Sequence, residues 1–249
     1  MPRIKLTLAY DGTDFSGWQL QPKDRTVQGE LEKALAEILG TPIRVHGSGR
    51  TDAGVHAMAQ VAHFDCAPGR ERIPWQRALN SLLPKDVRVV DFFLMPDDFH
   101  ARYSATSKMY EYALWHSREY CLPQRSRFVW DCGPVDCALM EQAAQVFLGT
   151  HDFAAFQNVG TPVKSTVRTI TEISYHPGLT GHETLWRFSA DGFLKQMVRN
   201  IMGCLVACGR GKLTPDEAKA ILNAADRSVA PATAPPQGLS LTHVEYLTV

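Results

Sequence analysis

The sequence predicts an α+β protein with two tandem ferredoxin-like halves, each following the order βαββαβ and each containing a mainly antiparallel sheet. Two observations lead to this fold class. Apolar periodicity switches between strand and helix in that order, and the order occurs twice along the 249 residues, on either side of the stretch 95–107. We therefore expect an amino-terminal half at 1–100, a carboxy-terminal half at 101–249, and a central cleft lined by loops from both.

The first half begins with a strand in which Ile4, Leu6 and Leu8 share one face. An apolar stripe at helical spacing follows, with Thr26 placed to cap that helix, and Pro74 stands where a second helix would start. These patterns predict strands at residues 3–10, 41–46, 59–65 and 87–94, and helices at 26–39 and 74–83. Turn-forming glycines occupy the gap between the second and third strands.

The second half repeats the order of elements without repeating the sequence. A helix is expected to end at Gly149, and a capping box from Thr214 to Glu217 predicts the start of an added helix. The predicted strands are at 108–116, 167–176, 184–191 and 239–247, and the predicted helices are at 136–149, 193–209 and 214–224.

Composition indicates an ordinary globular protein rather than a membrane or secreted one. The 26 basic and 26 acidic residues balance, no apolar run reaches the ~18 residues of a membrane span, and the amino terminus lacks signal-peptide features. We therefore expect a cytoplasmic protein without membrane contact. Two segments are locally basic, with five basic residues against two acidic ones at 101–130 and five against one at 187–212.

Metal and cofactor sites are not indicated by the sequence. The six cysteines lack zinc-ligand spacing and are expected to be reduced thiols, and the nine histidines contain no H-x-x-x-H pair. No phosphate-binding glycine loop opens a helix after a strand, and no G-x-S-x-G elbow is present. We expect neither a metal ion nor a cofactor.

Candidate chemistry starts with the segment HGSGRTDAGVHA at residues 46–57, which displays one charged pair between glycines. Asp52 is a carboxylate at neutral pH, so it needs no base to act as a nucleophile. A cation within about 4–6 Å would lower its pKa further, by roughly 1–3 units. Arg50 and an arginine from the second half are candidates for that cation. The alternative is an Asx turn, in which the aspartate has only a local structural role.

Three residues of the second half are further candidates. Tyr110 lies on a predicted strand and is either an ordinary sheet residue or a surface on which a nucleobase stacks. Gln196 and Arg199 share one face of the predicted helix 193–209. That face is either solvated or turns Arg199 toward a carboxylate at the cleft.

Two aromatic residues, Phe15 and Trp18, stand among glycines and acids in YDGTDFSGWQLQP at residues 10–22. A loop aromatic either contacts a ligand or attaches its loop to the body of the protein. Anchoring is the favoured interpretation, because isolated apolar residues on loops need no special function.

Six stretches, in order along nearly the whole chain, resemble the tRNA pseudouridine synthase A family. They are YDGTDFSGWQLQ (10–21), GSGRTDAGVHA (47–57), FHARYSATSKMYEY (99–112), GTHDFAAF (149–156), DGFLKQMVRNIMG (191–203) and TAPPQGLSL (233–241). RTDAGVHA is the most diagnostic of them. The resemblance implies a pseudouridine synthase fold and an intramolecular isomerase that converts uridine to pseudouridine at positions 38, 39 or 40 in the anticodon stem-loop of tRNA, without cofactor or metal. It also implies a homodimer in which both subunits shape the tRNA-binding clefts.

The resemblance assigns roles to particular residues of this sequence. Asp52 is implied to be the nucleophile, Tyr110 to pack on the target base, and Arg199 to pair with the aspartate. Arg50 is implied to displace the base from the helix, and Gln196 is a further substrate-binding candidate. The family usually carries an aromatic residue or histidine where this chain has a lysine at 195, so the contacts around Gln196 are expected to differ.

The implied chemistry explains the glycine-rich segment. Uracil must leave the base stack before its glycosidic bond is broken, and glycines let the backbone approach the extruded nucleotide closely. Whether the carboxylate attacks uracil C6 or ribose C1′ stays open. Tyr110 would stack on the base and lies where it could assist removal of the C5 proton, and tRNA phosphates are expected on the two basic segments.

Two rival functions come from other classes. Paired ferredoxin-like sheets also resemble inert RNA-binding modules, but such a module should carry the aromatic-rich K/R-G-F/Y-G/A-F-V-x-F/Y signature, and the sequence lacks it. A small-molecule isomerase could use the same cleft, but it would have no need of the basic segments.

Overall fold

The structure is a computed structural model that describes residues 1–160 and 163–247. The chain forms two compact units. Unit 1 contains Met1–Thr106 and the segment from Ser240 onward, and unit 2 contains Ser107–Leu239. The carboxy-terminal strand therefore returns to the unit in which the chain began.

The element order confirms an α+β fold, with strands and helices interspersed along the chain. The strands are β1 (Arg3–Tyr10), β2 (His46–Gly47), β3 (His56–Asp65), β4 (Val87–Met95), β5 (Ala105–Trp115), β6 (Trp130–Asp131), β7 (Gly149–Asp152), β8 (Val167–Pro177), β9 (Glu183–Ala190) and β10 (Leu239–Tyr246). The helices are α1 (Val27–Leu39), α2 (Trp75–Leu82), α3 (Cys137–Ala144), α4 (Met197–Gly209) and α5 (Pro215–Ala224). Short 3-10 turns lie at Gln145–Phe147, Ala154–Phe156, Arg227–Val229 and Pro236–Gly238.

The sheet of unit 1 is mainly antiparallel and is built around β3. β1 lies between β4 and β3 and is antiparallel to both, while β2 pairs antiparallel with the carboxyl end of β3. β10 pairs parallel with the amino end of β3, at Ser240–His56 and Leu241–Ala57. The alternation of β1 is confirmed, because Ile4, Leu6 and Leu8 are fully buried. The core also receives Leu31, Leu35, Phe64 and Trp75.

The sheet of unit 2 runs β5–β9–β8–β7 with antiparallel neighbours, and the short β6 pairs parallel with β5. Helix α3 packs against α4, and most of α4 is buried. Large side chains with no more than 1% of their surface exposed fill the core; they include Tyr112, Phe147, Phe153, Phe156, Trp186 and Phe188.

Several predicted boundaries were wrong. The predicted strand at 41–46 is paired only at His46–Gly47, because helix α1 takes the backbone groups of Val45: Glu32 accepts from its N–H at 3.0 Å and Gln28 donates to its carbonyl at 3.1 Å. The predicted helix 136–149 ends as α-helix at Ala144. A 3-10 turn follows it, and Gly149, at φ 91°, begins β7 instead of ending the helix.

The predicted helix 193–209 begins later than expected. Gln196 has φ 63° and ψ 1°, which is left-handed backbone, so α4 starts at Met197. A left-handed residue cannot continue an α-helix, and the three residues before it therefore lie outside the helix. The caps at Thr26 and Thr214 are confirmed, the second with a complete capping box to Glu217.

Candidate active site

The glycine-rich segment forms a loop over residues 48–55, between β2 and β3 of unit 1. Asp52 is half-buried on this loop and Arg50 is exposed. The N–H of Val55 donates to the carbonyl of Asp52 at 3.1 Å, and Gly54 takes φ 77° inside this turn. The turn chemistry expected of an aspartate–glycine segment is therefore present.

A buried hydrogen-bond network lies beneath the loop. The hydroxyls of Tyr10 and Thr51 are 2.8 Å apart, and the amide of Gln60 donates to the carbonyl of Gly49 at 3.0 Å and to the Tyr10 hydroxyl at 3.4 Å. Ser48 donates to the amide oxygen of Gln60 at 2.7 Å. Burial raises the pKa of Tyr10 to about 12, against the opposite effect of its hydrogen bonds, so the phenol is neutral at neutral pH.

The aromatic residues of the 10–22 segment support the other side of the loop. Phe15 and Trp18 are each only 3% exposed, which confirms that they anchor their segment. The N–H of Trp18 donates to the carbonyl of Thr51 at 3.1 Å, and the N–H of Gly54 donates to the carbonyl of Phe15 at 3.3 Å. The loop is thus held between the sheet and this segment.

Two glycines of the same segment permit this close packing. A Cβ added at Gly17 would lie 2.6 Å from the carbonyl oxygen of Thr51, and one added at Gly12 would overlap the carbonyl oxygen of Val55. Gly17 also has φ 91°. Because both obstacles are backbone atoms, a side chain at either glycine would push the loop away.

Tyr110 lies on β5 in unit 2, opposite Phe188 of β9, and only 8% of its surface is exposed. Its ring meets the ring of Phe193 edge-on, with centroids 5.2 Å apart and an interplanar angle of 86°. The edge contact holds the orientation of the phenol ring.

Arg199 occupies the first turn of α4 and is half-buried. Its Nε donates to the carbonyl of Ala234 at 2.8 Å, and the N–H of Ala234 donates back to the carbonyl of Arg199 at 3.1 Å. The hydroxyl of Tyr112 donates to the next carbonyl, that of Pro235, at 2.6 Å. Burial raises the pKa of Tyr112 well above its usual value, and the charge of Arg199 acts in the opposite direction.

The face of α4 that carries Arg199 is not a solvated face. Asn200 is fully buried; it donates to the carbonyl of Phe156 at 2.7 Å and accepts from Thr233 at 2.7 Å and from Arg227 at 3.2 Å. Sequence reasoning missed this network. The position of Asn200 among apolar residues of the predicted helix could have indicated it, because a buried asparagine needs polar partners.

Gln196 does not lie on the helical stripe with Arg199, which corrects its predicted position. It is the left-handed residue that precedes α4, and its carbonyl accepts from the N–H of Asn200 at 2.9 Å. Lys195 is exposed, and its carbonyl accepts from the N–H of Asn158 at 2.9 Å. The departure of this chain at position 195 therefore lies on the surface.

The five predicted site residues fall into two sets. Arg50 and Asp52 share one loop of unit 1, whereas Tyr110, Gln196 and Arg199 belong to unit 2. Sequence reasoning did not identify Tyr10, Thr51 and Gln60 as supports of the loop. Their signal was weak, because Gln60 appears in the sequence only as a polar residue inside an apolar strand.

Within residues 1–160 and 163–247, no group of three or more histidine, cysteine or acidic side chains could hold a metal ion, and no helix is long and apolar enough to cross a membrane. The six cysteines are free thiols, and four of them are buried.

Comparison with known proteins identifies relatives over the whole chain. The family model described as tRNA pseudouridine synthase matches residues 7–104 and 143–247. The chain is 57% identical to tRNA pseudouridine synthase A of Maridesulfovibrio salexigens, over 99% of this chain and 91% of the relative. It is 56% identical to the enzyme of that name from Solidesulfovibrio magneticus, over 99% and 92%, and 41% identical to that of Coxiella burnetii, over 99% and 94%.

Among solved structures, a crystal structure of a Cbf5–Nop10–Gar1 complex aligns with 95% of this chain and 57% of its own, at 11% identity and a TM-score of 0.38. The family match, not this alignment, supports the assignment of the fold.

Proposed function

Because the chain belongs to the tRNA pseudouridine synthase family, it is an enzyme that isomerises uridine to pseudouridine in tRNA, and we propose that Asp52 is its nucleophile and that its target uridines lie in the anticodon stem-loop. The assignment of Asp52 as the nucleophile rests on how firmly its loop is held. A half-buried carboxylate stands on a turn that is packed from two sides, beside an exposed arginine. A nucleophile needs such a fixed position more than an aspartate of an ordinary surface turn does.

The proposed reaction exchanges one bond of uracil for another. The carboxylate of Asp52 attacks the extruded nucleotide at uracil C6 or ribose C1′, and the bond between N1 and C1′ breaks. The uracil rotates, C5 forms the new bond to C1′, and the C5 proton is lost while N1 gains a proton. The carboxylate leaves unchanged. Since product and substrate are isomers, no redox partner or cofactor is required.

Residues of unit 2 are proposed to handle the base. Tyr110 stacks on the extruded uracil and assists removal of the C5 proton, with its ring held edge-on by Phe193. Arg199 keeps the carboxylate of Asp52 ionised, and the bond from its Nε to the carbonyl of Ala234 fixes the direction of the guanidinium.

Arg50 and Gln196 are proposed to contact the substrate around the target nucleotide. Arg50 is exposed two residues before the nucleophile, where it can displace the base from the stack. The phosphates of tRNA are assigned to the basic segments 101–130 and 187–212, since phosphate binding requires arginine and lysine. We further propose that the enzyme is a homodimer and acts in the cytoplasm.

Replacing the nucleophile tests the mechanism. We expect Asp52→Asn to lower the release of tritium from C5-labelled uridine in tRNA by at least about 10³-fold, because an amide is not a nucleophile of comparable strength. Binding of tRNA, followed by electrophoretic mobility shift, should be largely retained. Asp24→Asn is the matched control, because Asp24 is an exposed aspartate upstream of α1. Undiminished release in Asp52→Asn would remove this residue from the mechanism.

A further inference from the structure

We infer that Tyr10, Thr51 and Gln60 are positioning residues for the reaction: their buried side-chain network fixes the backbone from which Asp52 projects. The inference rests on the proposed role of Asp52 as the nucleophile. These three residues are buried beneath the loop, with 0–6% of their surface exposed, and their loss should slow the reaction.

The network joins two strands of unit 1 to the loop. Tyr10 is the last residue of β1, Gln60 lies in the middle of β3, and Thr51 immediately precedes Asp52. The bond between the two hydroxyls is 2.8 Å long, and the bond from Gln60 to the carbonyl of Gly49 is 3.0 Å long. Strands β1 and β3 are therefore both bonded to residues on the amino-terminal side of the nucleophile.

One direction of donation satisfies the groups consistently. The amide N–H of Gln60 donates to the oxygen of Tyr10, and the phenol proton of Tyr10 is then available to the hydroxyl oxygen of Thr51. Ser48 donates to the amide oxygen of Gln60 at 2.7 Å. The phenol keeps its proton at neutral pH because burial raises its pKa to about 12. Removing one member leaves buried polar partners unsatisfied, which is costly in a low-dielectric interior.

Thr51 is held through its backbone as well as its side chain. Its carbonyl accepts from the N–H of Trp18 at 3.1 Å, and Gly17 packs against the same carbonyl oxygen. A residue fixed at both its side chain and its carbonyl leaves the next residue little freedom. The position of Asp52 thus depends on the Thr51 hydroxyl, although that hydroxyl is directed into the protein.

The network adds to what the sheet already provides. β1 and β3 are paired from Arg3–Asp65 to Tyr10–Ala57 without any help from these side chains. Loss of one hydroxyl should therefore leave the sheet intact and loosen the loop. A misplacement of about 1 Å in a reacting group can cost up to ~10²-fold in rate.

Substitutions at Thr51 separate a positioning role from a packing role. Thr51→Val keeps the shape and removes the hydroxyl, whereas Thr51→Ser keeps the hydroxyl. We expect kcat for tritium release from tRNA to fall about 10–100-fold in Thr51→Val with KM changed less than about threefold, and Thr51→Ser to recover most of the loss. Thr41→Val, at an exposed threonine, is the control for the threonine-to-valine change.

Tyr10→Phe supplies an independent variant if Thr51→Val does not fold. It should lower kcat by a similar factor, and the double variant should lose little more than either single variant, because the two hydroxyls act through one bond. Urea unfolding and circular dichroism give the folded fraction to which each kcat is normalised.

Three outcomes would overturn the inference. They are a normalised kcat within about twofold of the parent protein in both Tyr10→Phe and Thr51→Val, equal losses in Thr51→Ser and Thr51→Val, and multiplicative losses in the double variant. Each leaves the proposed function in place if the parent protein releases tritium and Asp52→Asn does not. Absence of release by the parent protein would instead overturn the proposed function, and the inference with it.

Discussion

The loop of unit 1 and the start of α4 in unit 2 hold their candidate residues in different ways. The loop is held through Thr51, the neighbour of Asp52, whereas Arg199 is held through its own guanidinium at the carbonyl of Ala234. The loop of Asp52 therefore depends on buried side chains that belong to other residues. Arg199 depends on the segment that follows α5, because that segment supplies its acceptor.

Both regions rely on a glycine where two backbones meet. Gly17 lets the 10–22 segment touch the carbonyl of Thr51, and Gly203 lets α4 touch the carbonyl of Ala232. Each region also buries one amide with three partners: Gln60 bonds to Ser48, Gly49 and Tyr10, and Asn200 bonds to Phe156, Thr233 and Arg227. They differ in the element that carries the amide. Gln60 belongs to a strand that is paired with β1 independently of its side chain, whereas the Asn200 amide of α4 bonds that helix to two separate segments.

The largest effect is expected at that amide. Asn200→Ala should lower the free energy of unfolding by about 4 kcal/mol, since the carbonyl of Phe156 and the side chains of Thr233 and Arg227 each lose their hydrogen bond to this buried amide. Urea unfolding followed by circular dichroism measures the change. Asn223→Ala on α5 is the control, because Asn223 is exposed. Equal stability of the two variants would contradict the stabilising role assigned to the Asn200 amide.

A smaller effect is expected at the glycine that packs on the loop. Gly17→Ala should cost about 3 kcal/mol of unfolding free energy, because it combines a positive φ with a Cβ 2.6 Å from the carbonyl oxygen of Thr51. Gly40→Ala separates the two causes: Gly40 has φ 75° but no atom within 4 Å of an added Cβ, so it should cost only about 1 kcal/mol.

The same two variants should also differ in activity. Tritium release should fall in Gly17→Ala, because the loop that carries Asp52 is displaced, and it should be retained in folded Gly40→Ala. Equal activity in both variants would show that the loop tolerates displacement.

A buried histidine on strand β3 should make the stability of unit 1 depend on pH. His63 is 2% exposed, and its ring lies 5.1 Å from that of His46 and 4.7 Å from that of His100. Burial, and then the charges of His100, Arg3 and His46, lower the pKa of His63 to about 4, while Asp65 acts in the opposite direction.

The smallest of the three effects follows from this shift. In the unfolded chain a histidine binds a proton below pH about 6.5, but folded His63 binds one only near pH 4, so stability falls as the pH is lowered between these values. Going from pH 7 to pH 5 should cost about 2 kcal/mol. Urea unfolding of His63→Gln should lack most of this loss, whereas His243→Gln, at an exposed histidine, should keep it. Equal pH dependence in both would assign the loss to other groups.

Much of the fold could be predicted from the sequence because periodicity reports which face of an element is buried. The alternation at Ile4, Leu6 and Leu8 and the caps at Thr26 and Thr214 are local signals, and the structure confirms them. Errors arose where a distant group competes for the backbone. Side chains of α1 take the backbone groups of Val45 and shorten β2, which no pattern within residues 41–46 reveals.

Some residues of the candidate site could likewise be predicted from the sequence and others could not. The motif around Asp52 could be recognised because its glycines and its charged pair are adjacent in sequence, and the family match gives that motif its chemistry. The supports could not be recognised. Tyr10 and Thr51 are 41 positions apart, and tertiary folding brings them together.

The family, most of the longer helices and strands and the residue types available for catalysis could be predicted from the sequence, because these are properties of local pattern and spacing. The tertiary structure alone decided which polar groups are buried together, and therefore which side chains support the Asp52 loop and Arg199. The physical reason is that a buried hydrogen bond depends on the partner that folding brings near, and sequence distance does not encode that partner.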